Sequence, residues 1–261
     1  MGKHKNIDVC IGILFHKEGN LARPAMLALI RMLEHLEKFG KTAEVIINLD
    51  NCDETTGRII SELSRNDFQI LQTNFGDPSL ARNFIVRNAI GDYVTLLDGD
   101  DLWSENWVTQ SLLMAKNETT NKTILHPEFL YLFSESDFEI HSASTQPNPR
   151  VISHFLMHES TVHKNNAELW LKLDNLWSAN SFAARQIFLD FPFIENEMST
   201  GTGIEDWSFN FETTHHGISH QVVQGTLHMI RMKDSGSQNK TNFLNSLLPN
   251  FSKLESGERH G

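Results

Sequence analysis

The chain reads as an α/β protein: a mostly parallel central sheet with helices against its faces. Two observations predict this class. Four strand-like runs alternate with helix-periodic segments through residue 97, and several of those runs are almost unbroken in apolar residues, as strands covered on both faces are. A third observation gives the fold a use. Two of the runs end on carboxylates, Asp50 and Asp98, and in an open α/β sheet ligands bind beyond the carboxyl ends of the strands.

The elements follow in order. Ile7 to Phe15 is the first strand, and His16-Lys17-Glu18-Gly19-Asn20 the loop after it. Ala22, Ala25, Met26, Leu29, Leu33 and Leu36 recur at helical spacing, with a stop near Gly40. Glu44 to Asp50 repeats the strand pattern and opens into a polar segment. A helix carrying Ile59, Ile60 and Leu63 follows, with Asp53 and Glu54 suited to its start. Phe68 to Leu71 is a short third strand, and Ser79 to Ile90 a helix with Leu80, Ala81, Phe84, Ile85 and Ala89 on one face. The fourth strand, Tyr93 to Leu97, delivers Asp98-Gly99-Asp100-Asp101 to its end. A helix is expected from Ser104, with Asp101 available to its first turn.

Beyond residue 117 the pattern loosens. Thr123 to Phe133 reads as a strand that Pro127 marks as edge or interrupted. Residues 134 to 150 form a loop-rich excursion, and Val151 to Met157 another strand. The chain is expected to divide into a nucleotide half over about residues 1–117 and an acceptor half over about 118–238. The tail, 239–261, carries Phe243, Leu244, Leu247, Leu248, Phe251 and Leu254 at helical spacing.

Composition narrows the function. With 261 residues and 39% hydrophobic content the chain can bury a real core, and its net charge of -11 argues against a nucleic-acid-binding surface. Phosphate can still be held locally through a cation. Cys10 and Cys52 support neither a disulfide framework nor a thiolate zinc site. The opening residues lack the apolar core of a signal peptide, and nowhere do 18 apolar residues run together. A cytoplasmic protein is expected, with peripheral contact at the inner face of a membrane as the variant to test against it.

Three aspartates within four positions repel one another unless solvated or gathered around a cation. Asp98 and Asp100, separated by one glycine, are expected to leave room for a hard ion, Mn²⁺ or Mg²⁺, bridged to substrate phosphates. The chain has neither a Gly-x-Gly-x-x-Gly nor a Gly-Lys-Ser/Thr loop, so neither a dinucleotide fold nor a nucleoside-triphosphatase loop is supported. His158 and His163 stand at i and i+5 and do not share a helix face, which removes a metalloprotease reading. Gly201-Thr202-Gly203-Ile204-Glu205-Asp206 places adjacent carboxylates at a helix start. Trp177 suits either a sugar ring or the core.

Taken together, Leu14-Phe15-His16-Lys17-Glu18, Leu49-Asp50-Asn51-Cys52-Asp53-Glu54-Thr55, Ala81-Arg82-Asn83 and Leu97-Asp98-Gly99-Asp100-Asp101 resemble glycosyltransferase family 2, from about Val9 to about Asp206. The first departs from the family pattern at His16 and Lys17, and the second has Leu49 where an aspartate is usual. The resemblance implies a GT-A-like fold, Rossmann-like in its nucleotide half, and an inverting, metal-dependent transfer from a nucleoside-diphosphate sugar to a saccharide or glycolipid acceptor. It implies that Leu14, His16 and Asp50 border the base, Arg82 supports the nucleotide, Asp98 faces the ribose and Asp100 ligates the metal. Asp206 is then the general base with Glu205 its neighbour. The stretch from Gly225 to Ser237 resembles the family's late strand and basic loop, which offers His228 to the metal and Arg231 or Lys233 to the leaving diphosphate. A sugar nucleotidyltransferase, or a catalytically silent sugar-binding scaffold, are the competing readings. The glycine-poor first loop disfavours the former, and Asp98, Asp100 and Asp206 disfavour the latter.

Overall fold

A computed structural model describes residues 7–118, 121–134, 154–163, 166–197, 199, 201–232 and 248–249. The excursion 134–150 beyond Ser134, Lys233, and all of the tail except Leu248–Pro249 lie outside the described residues.

The first half is the expected alternation: β1 (Val9–Phe15), α1 (Ala22–Lys38), β2 (Ala43–Asp50), α2 (Glu54–Leu63), β3 (Gln69–Thr73), α3 (Pro78–Asn88) and β4 (Tyr93–Asp98). These four strands are parallel, in spatial order β3-β2-β1-β4. There follow β5 (Leu102–Trp103), α4 (Trp107–Asn117), β6 (Thr123–Ser134), β7 (His154–Met157), α5 (Ala167–Leu171), β8 (Ser181–Ala184) and α6 (Arg185–Asp190). The described order closes with β9 (Thr202–Gly203), α7 (Glu205–His215), β10 (Ser219–Met232) and β11 (Leu248–Pro249). The sheet continues as β4-β8-β6-β10-β5, with β7 also on β6 and a two-stranded pair of β9 and β11 apart from it. β8 is antiparallel to both β4 and β6, so it joins the parallel first half to the mixed second half through one continuous sheet.

Side-chain alternation along β1 explains the two-faced core. Val9, Ile11, Ile13 and Phe15 pack with α1, α2 and α4 residues on one face, while Cys10 joins Ile85, Val86, Phe188 and Phe209 from α3, α6 and α7 on the other. At Gly12 an added Cβ would lie 2.4 Å from Ile85 Cγ2, so glycine lets α3 settle directly on β1. No helix among the described residues is long and apolar enough to cross a membrane.

One local expectation narrows and another changes. Pro127 had marked β6 as an edge or interrupted strand; β6 is interior, flanked by β8 and β10, and it is interrupted at Pro127. Pro127 lies in the gap between β8, which pairs with Ile124 and Leu125, and β7, which pairs from Phe129 onward, and the β10 register shifts just beyond its partner Val223, where Gly225 adopts φ +71°. The helix expected from Ser104 begins at Trp107. Ser104 instead pairs with β10, its N–H donating to the Leu227 carbonyl and its Oγ accepting from Leu227 N–H.

Candidate active site

Parallel strands deliver their carboxyl ends to one rim of the sheet, and Leu14 at the end of β1 lies opposite Asp98 at the end of β4. The turn after Asp98 is shaped by Gly99. A Cβ at Gly99 would stand 2.3 Å from the Phe15 ring and 2.6 Å from the Leu14 carbonyl oxygen. The glycine between the aspartates therefore admits the end of β1.

Behind this turn sits a buried ion cluster. Arg82 on α3, 5% exposed, donates to Asp98 Oδ1 at 2.8 Å and to Glu205 Oε1 at 2.5 Å, with its guanidinium over the Phe193 ring at 5.7 Å. Burial alone would favour deprotonation, but Asp98 and Glu205 more than offset it and hold the guanidinium charged. Arg82 thus acts as a strut joining β4 to α7. Glu205 is its partner, 6% exposed.

Asp206 follows Glu205 on α7, whose entry is strained. Ile204, a β-branched residue, adopts φ +56° just before the helix, a conformation that costs about 1–3 kcal/mol and persists only where neighbours enforce it. Enforcement is visible: Ile204 N–H donates to Asn196 Oδ1 at 3.2 Å, and Ser208 Oγ donates to the Gly203 carbonyl at 3.0 Å. Asn196 N–H in turn donates to Asp77 Oδ2 at 3.1 Å, while Asp77 Oδ1 caps α3 through Ser79 and Leu80. The Asp206 carboxylate accepts from Trp207 N–H at 2.8 Å and from Asn175 Nδ2 at 3.0 Å. Burial, and then the neighbouring Glu205, push its pKa up to about 7; Arg82 works in the opposite direction. A carboxyl poised there suits proton transfer near neutrality.

On the opposite side lie the residues assigned to the base. Asp50 is 4% exposed and accepts from Thr73 Oγ1 at 2.8 Å, Phe75 N–H at 2.7 Å and Gly76 N–H at 2.8 Å. Its carboxylate shapes the loop after β3. His16 is exposed, with Nδ1 2.5 Å from the Asp50 carbonyl oxygen, so the first and second strand ends meet here. Asp53, expected at a helix start, caps α2 by accepting from Thr56 N–H at 3.0 Å.

β10 closes the third side. His228, 1% exposed, has Nε2 2.8 Å from Asp101 Oδ2 and Nδ1 3.2 Å from Ser178 Oγ. Asp101 Oδ1 accepts from Arg231 N–H at 3.1 Å. Asp101 therefore anchors β10 and does not serve α4. Arg231 reaches the Asp100 carbonyl oxygen at 3.4 Å and lies over the Phe133 ring at 5.0 Å, beside the strand end. Among the described residues no three His, Cys, Asp or Glu side chains cluster as a ready-made metal cage. The donors that fit a hard cation are the carboxylates of Asp98, whose side chain keeps 31% exposure, and Asp100. His228 fits less well, since both of its ring nitrogens are already engaged.

Trp177 belongs to the core. It is 2% exposed and stacks on His220 with ring centroids 4.2 Å apart, so it offers no face to a sugar. Asn175 and Ser178 were not singled out by sequence; each touches its partner across 31 and 50 residues, and only the polar interruptions of an aromatic segment hinted at them.

The glycosyl transferase family 2 model matches residues 10–153, more than half of the chain. No curated protein matches at the sequence level. Among solved structures, the chain is similar to Staphylococcus aureus TarS 1-349 in complex with UDP-GlcNAc, at 13% identity and a TM-score of 0.56 over 88% of this chain and 60% of that one. It is also similar to TarS 1-349 in complex with UDP, at 11% identity and a TM-score of 0.55 over 92% and 70%, and to TarS 1-349 alone, at 14% and 0.54 over 92% and 63%. The chain thus spans about 60% of the first of these structures. The likeness bears on the fold, an α/β sheet with flanking helices.

Proposed function

The chain belongs to glycosyl transferase family 2, and on that premise we propose that it transfers a sugar, with inversion, from a nucleoside-diphosphate sugar to an acceptor hydroxyl, in the assembly of a polysaccharide or glycoconjugate. The observation that carries the reading is the Arg82 strut, which ties the nucleotide-facing Asp98 to the helix turn bearing Asp206. A donor seated over the end of β4 would then present its anomeric carbon toward that turn.

In this reading Asp206 takes the proton of the acceptor hydroxyl as the new oxygen–carbon bond forms and the bond from the anomeric carbon to the diphosphate oxygen breaks. Arg231, at the end of β10 and bonded to the Asp100 carbonyl, would offset charge on the departing diphosphate. Mn²⁺ or Mg²⁺ would be held by Asp98 and Asp100, and when bound would supply Lewis-acid stabilisation of the leaving diphosphate. Leu14 and the His16 loop border the base, with Asp50 acting through the 73–76 loop that it shapes. The complexes of similar structures make UDP and UDP-GlcNAc the first probes.

Calorimetric titration with UDP, with and without Mn²⁺, tests the donor side: binding that strengthens with the metal in the parent and loses that gain in Asp100→Ala is expected. Release of UDP from UDP-GlcNAc in the presence of saccharide acceptors tests the chemistry. Asp206→Asn keeps shape and hydrogen bonding but cannot accept the proton, so transfer should drop at least about a hundredfold with UDP affinity unchanged. Transfer by Asp206→Asn at the parental rate would remove the assignment.

A further inference from the structure

The Asp206 carboxylate stands at the end of a chain of two amides whose polarity is fixed by its far end. Asn210 on α7, 2% exposed, donates from Nδ2 to the Trp177 carbonyl oxygen at 3.1 Å and to Asn175 Oδ1 at 2.9 Å. A backbone carbonyl only accepts, so the Asn210 atom beside it is the amide nitrogen. The Asn175 atom facing that nitrogen must then be oxygen. Asn175 is left to turn its own Nδ2 toward Asp206 Oδ2, at 3.0 Å. The origin of the chain is rigid, because the Trp177 ring is stacked on His220 and its Nε1 donates to the Glu159 carbonyl at 2.9 Å.

We propose that Asn175 is a positioning residue for the Asp206 carboxylate, with Asn210 dictating which end of the Asn175 amide is presented. The inference rests on Asp206 being the base. With Trp207 N–H on Oδ1 and Asn175 on Oδ2, each carboxylate oxygen has a donor, which fixes the plane of the group and favours its ionised form. Among the charged groups that act on Asp206, Glu205 and Asp98 oppose ionisation and Arg82 favours it. Asn175 adds to the favourable side without carrying charge and without offering an acceptor that competes for the proton.

The test is a carbon-13 titration of the full chain labelled at its aspartate carboxyls, the Asp206 resonance being identified by its loss in Asp206→Asn. Over about pH 4 to 9, Asn175→Ala should raise the Asp206 midpoint by about one unit, the size of one lost hydrogen bond to a charged group. Asn175→Asp, which keeps the shape, removes the donor and adds a like charge, should raise it further. A side chain that merely filled space would leave the Asn175→Ala midpoint at the parent's value, since only the charge added in Asn175→Asp would then move it. An Asn175→Ala midpoint equal to the parent's overturns the proposal while leaving the base assignment standing. Unimpaired transfer by Asp206→Asn removes the base, and the proposal with it.

Discussion

At the scale of single residues, Gly99 and Glu205 do work that their surroundings in the chain do not announce. Replacing Gly99 by alanine forces a methyl group against the Phe15 ring and the Leu14 carbonyl, and overpacking of this kind typically costs about 1–3 kcal/mol. Urea denaturation should show that loss, together with weaker UDP binding, because Asp98 and Asp100 ride on the displaced turn. A Gly99→Ala protein as stable as the parent would mean that β1 and the turn yield freely. Glu205 had been placed beside the base as its lesser companion. Its carboxylate instead neutralises the buried Arg82, and removing one partner of a buried pair costs about 3–5 kcal/mol in measured cases. Glu205→Gln should therefore lower the melting temperature more than Asp206→Asn does, while Asp206→Asn is the more damaging to transfer. The reverse ranking on both readouts would exchange the two roles.

Among elements, the start of α3 and the start of α7 are coupled through one side chain. Asp77 caps α3 with Oδ1 and holds Asn196 N–H with Oδ2, and Asn196 Oδ1 receives the N–H of strained Ile204. Loss of an N-cap costs about 0.5–2 kcal/mol on its own. Asp77→Ala is expected to exceed that range slightly in equilibrium unfolding, since the 196–204 segment loses its anchor too. It should also lower transfer without altering UDP affinity, because Asp206 follows Ile204 directly. An effect confined to stability would show that α7 keeps its entry without Asp77. The break in the β10 ladder around Gly225 belongs to the same scale: beyond it, Leu227 pairs with Phe129 of β6 and its N–H donates to Ser104.

Across the whole molecule, two sets of buried groups pull stability in opposite directions with pH. His126, His158 and His220 are buried neutral, with His158 lowered to about 4 and His220 to about 3 mainly by desolvation. Depressed histidines contribute stability that is present above about 6.5 and is lost as pH falls through those folded values. Asp206 has the opposite sign: its pKa is raised to about 7, so its contribution is complete below about 3.9 and is lost as pH rises through 7. The ligand-free protein should consequently lose melting temperature steeply on acidification below about 6. His220→Gln should flatten that acid limb, and Asp206→Asn should flatten the neutral one. Identical pH profiles for parent and both variants would show that neither group is linked to unfolding. On the proposed role of Asp206 as the base, activity should climb through about 7 while that residue's contribution to stability declines, a tension common at functional sites.

The amino-acid sequence by itself determined the alternation of strands and helices through Asp98, because apolar periodicity and strand-end polarity are local and repeat along the chain. It also placed Asp98, Asp100 and Asp206 as the carboxylates to watch, and capping of α2 by Asp53 was legible for the same local reason. Tertiary structure alone decided what those carboxylates face. Arg82 meets Glu205 across 123 positions and Asp101 meets His228 across 127, separations at which no periodicity carries information. Pro127 left β6 open between an edge and an interrupted strand, and the structure made it an interior strand interrupted where pairing passes from β8 to β7. Trp177 went to the core, stacked against the rings of His126 and His220 from β6 and β10. Pattern fixes which face of an element is apolar; the partner waiting on that face, and with it the ionisation of Asp206, is set only when distant segments close around it.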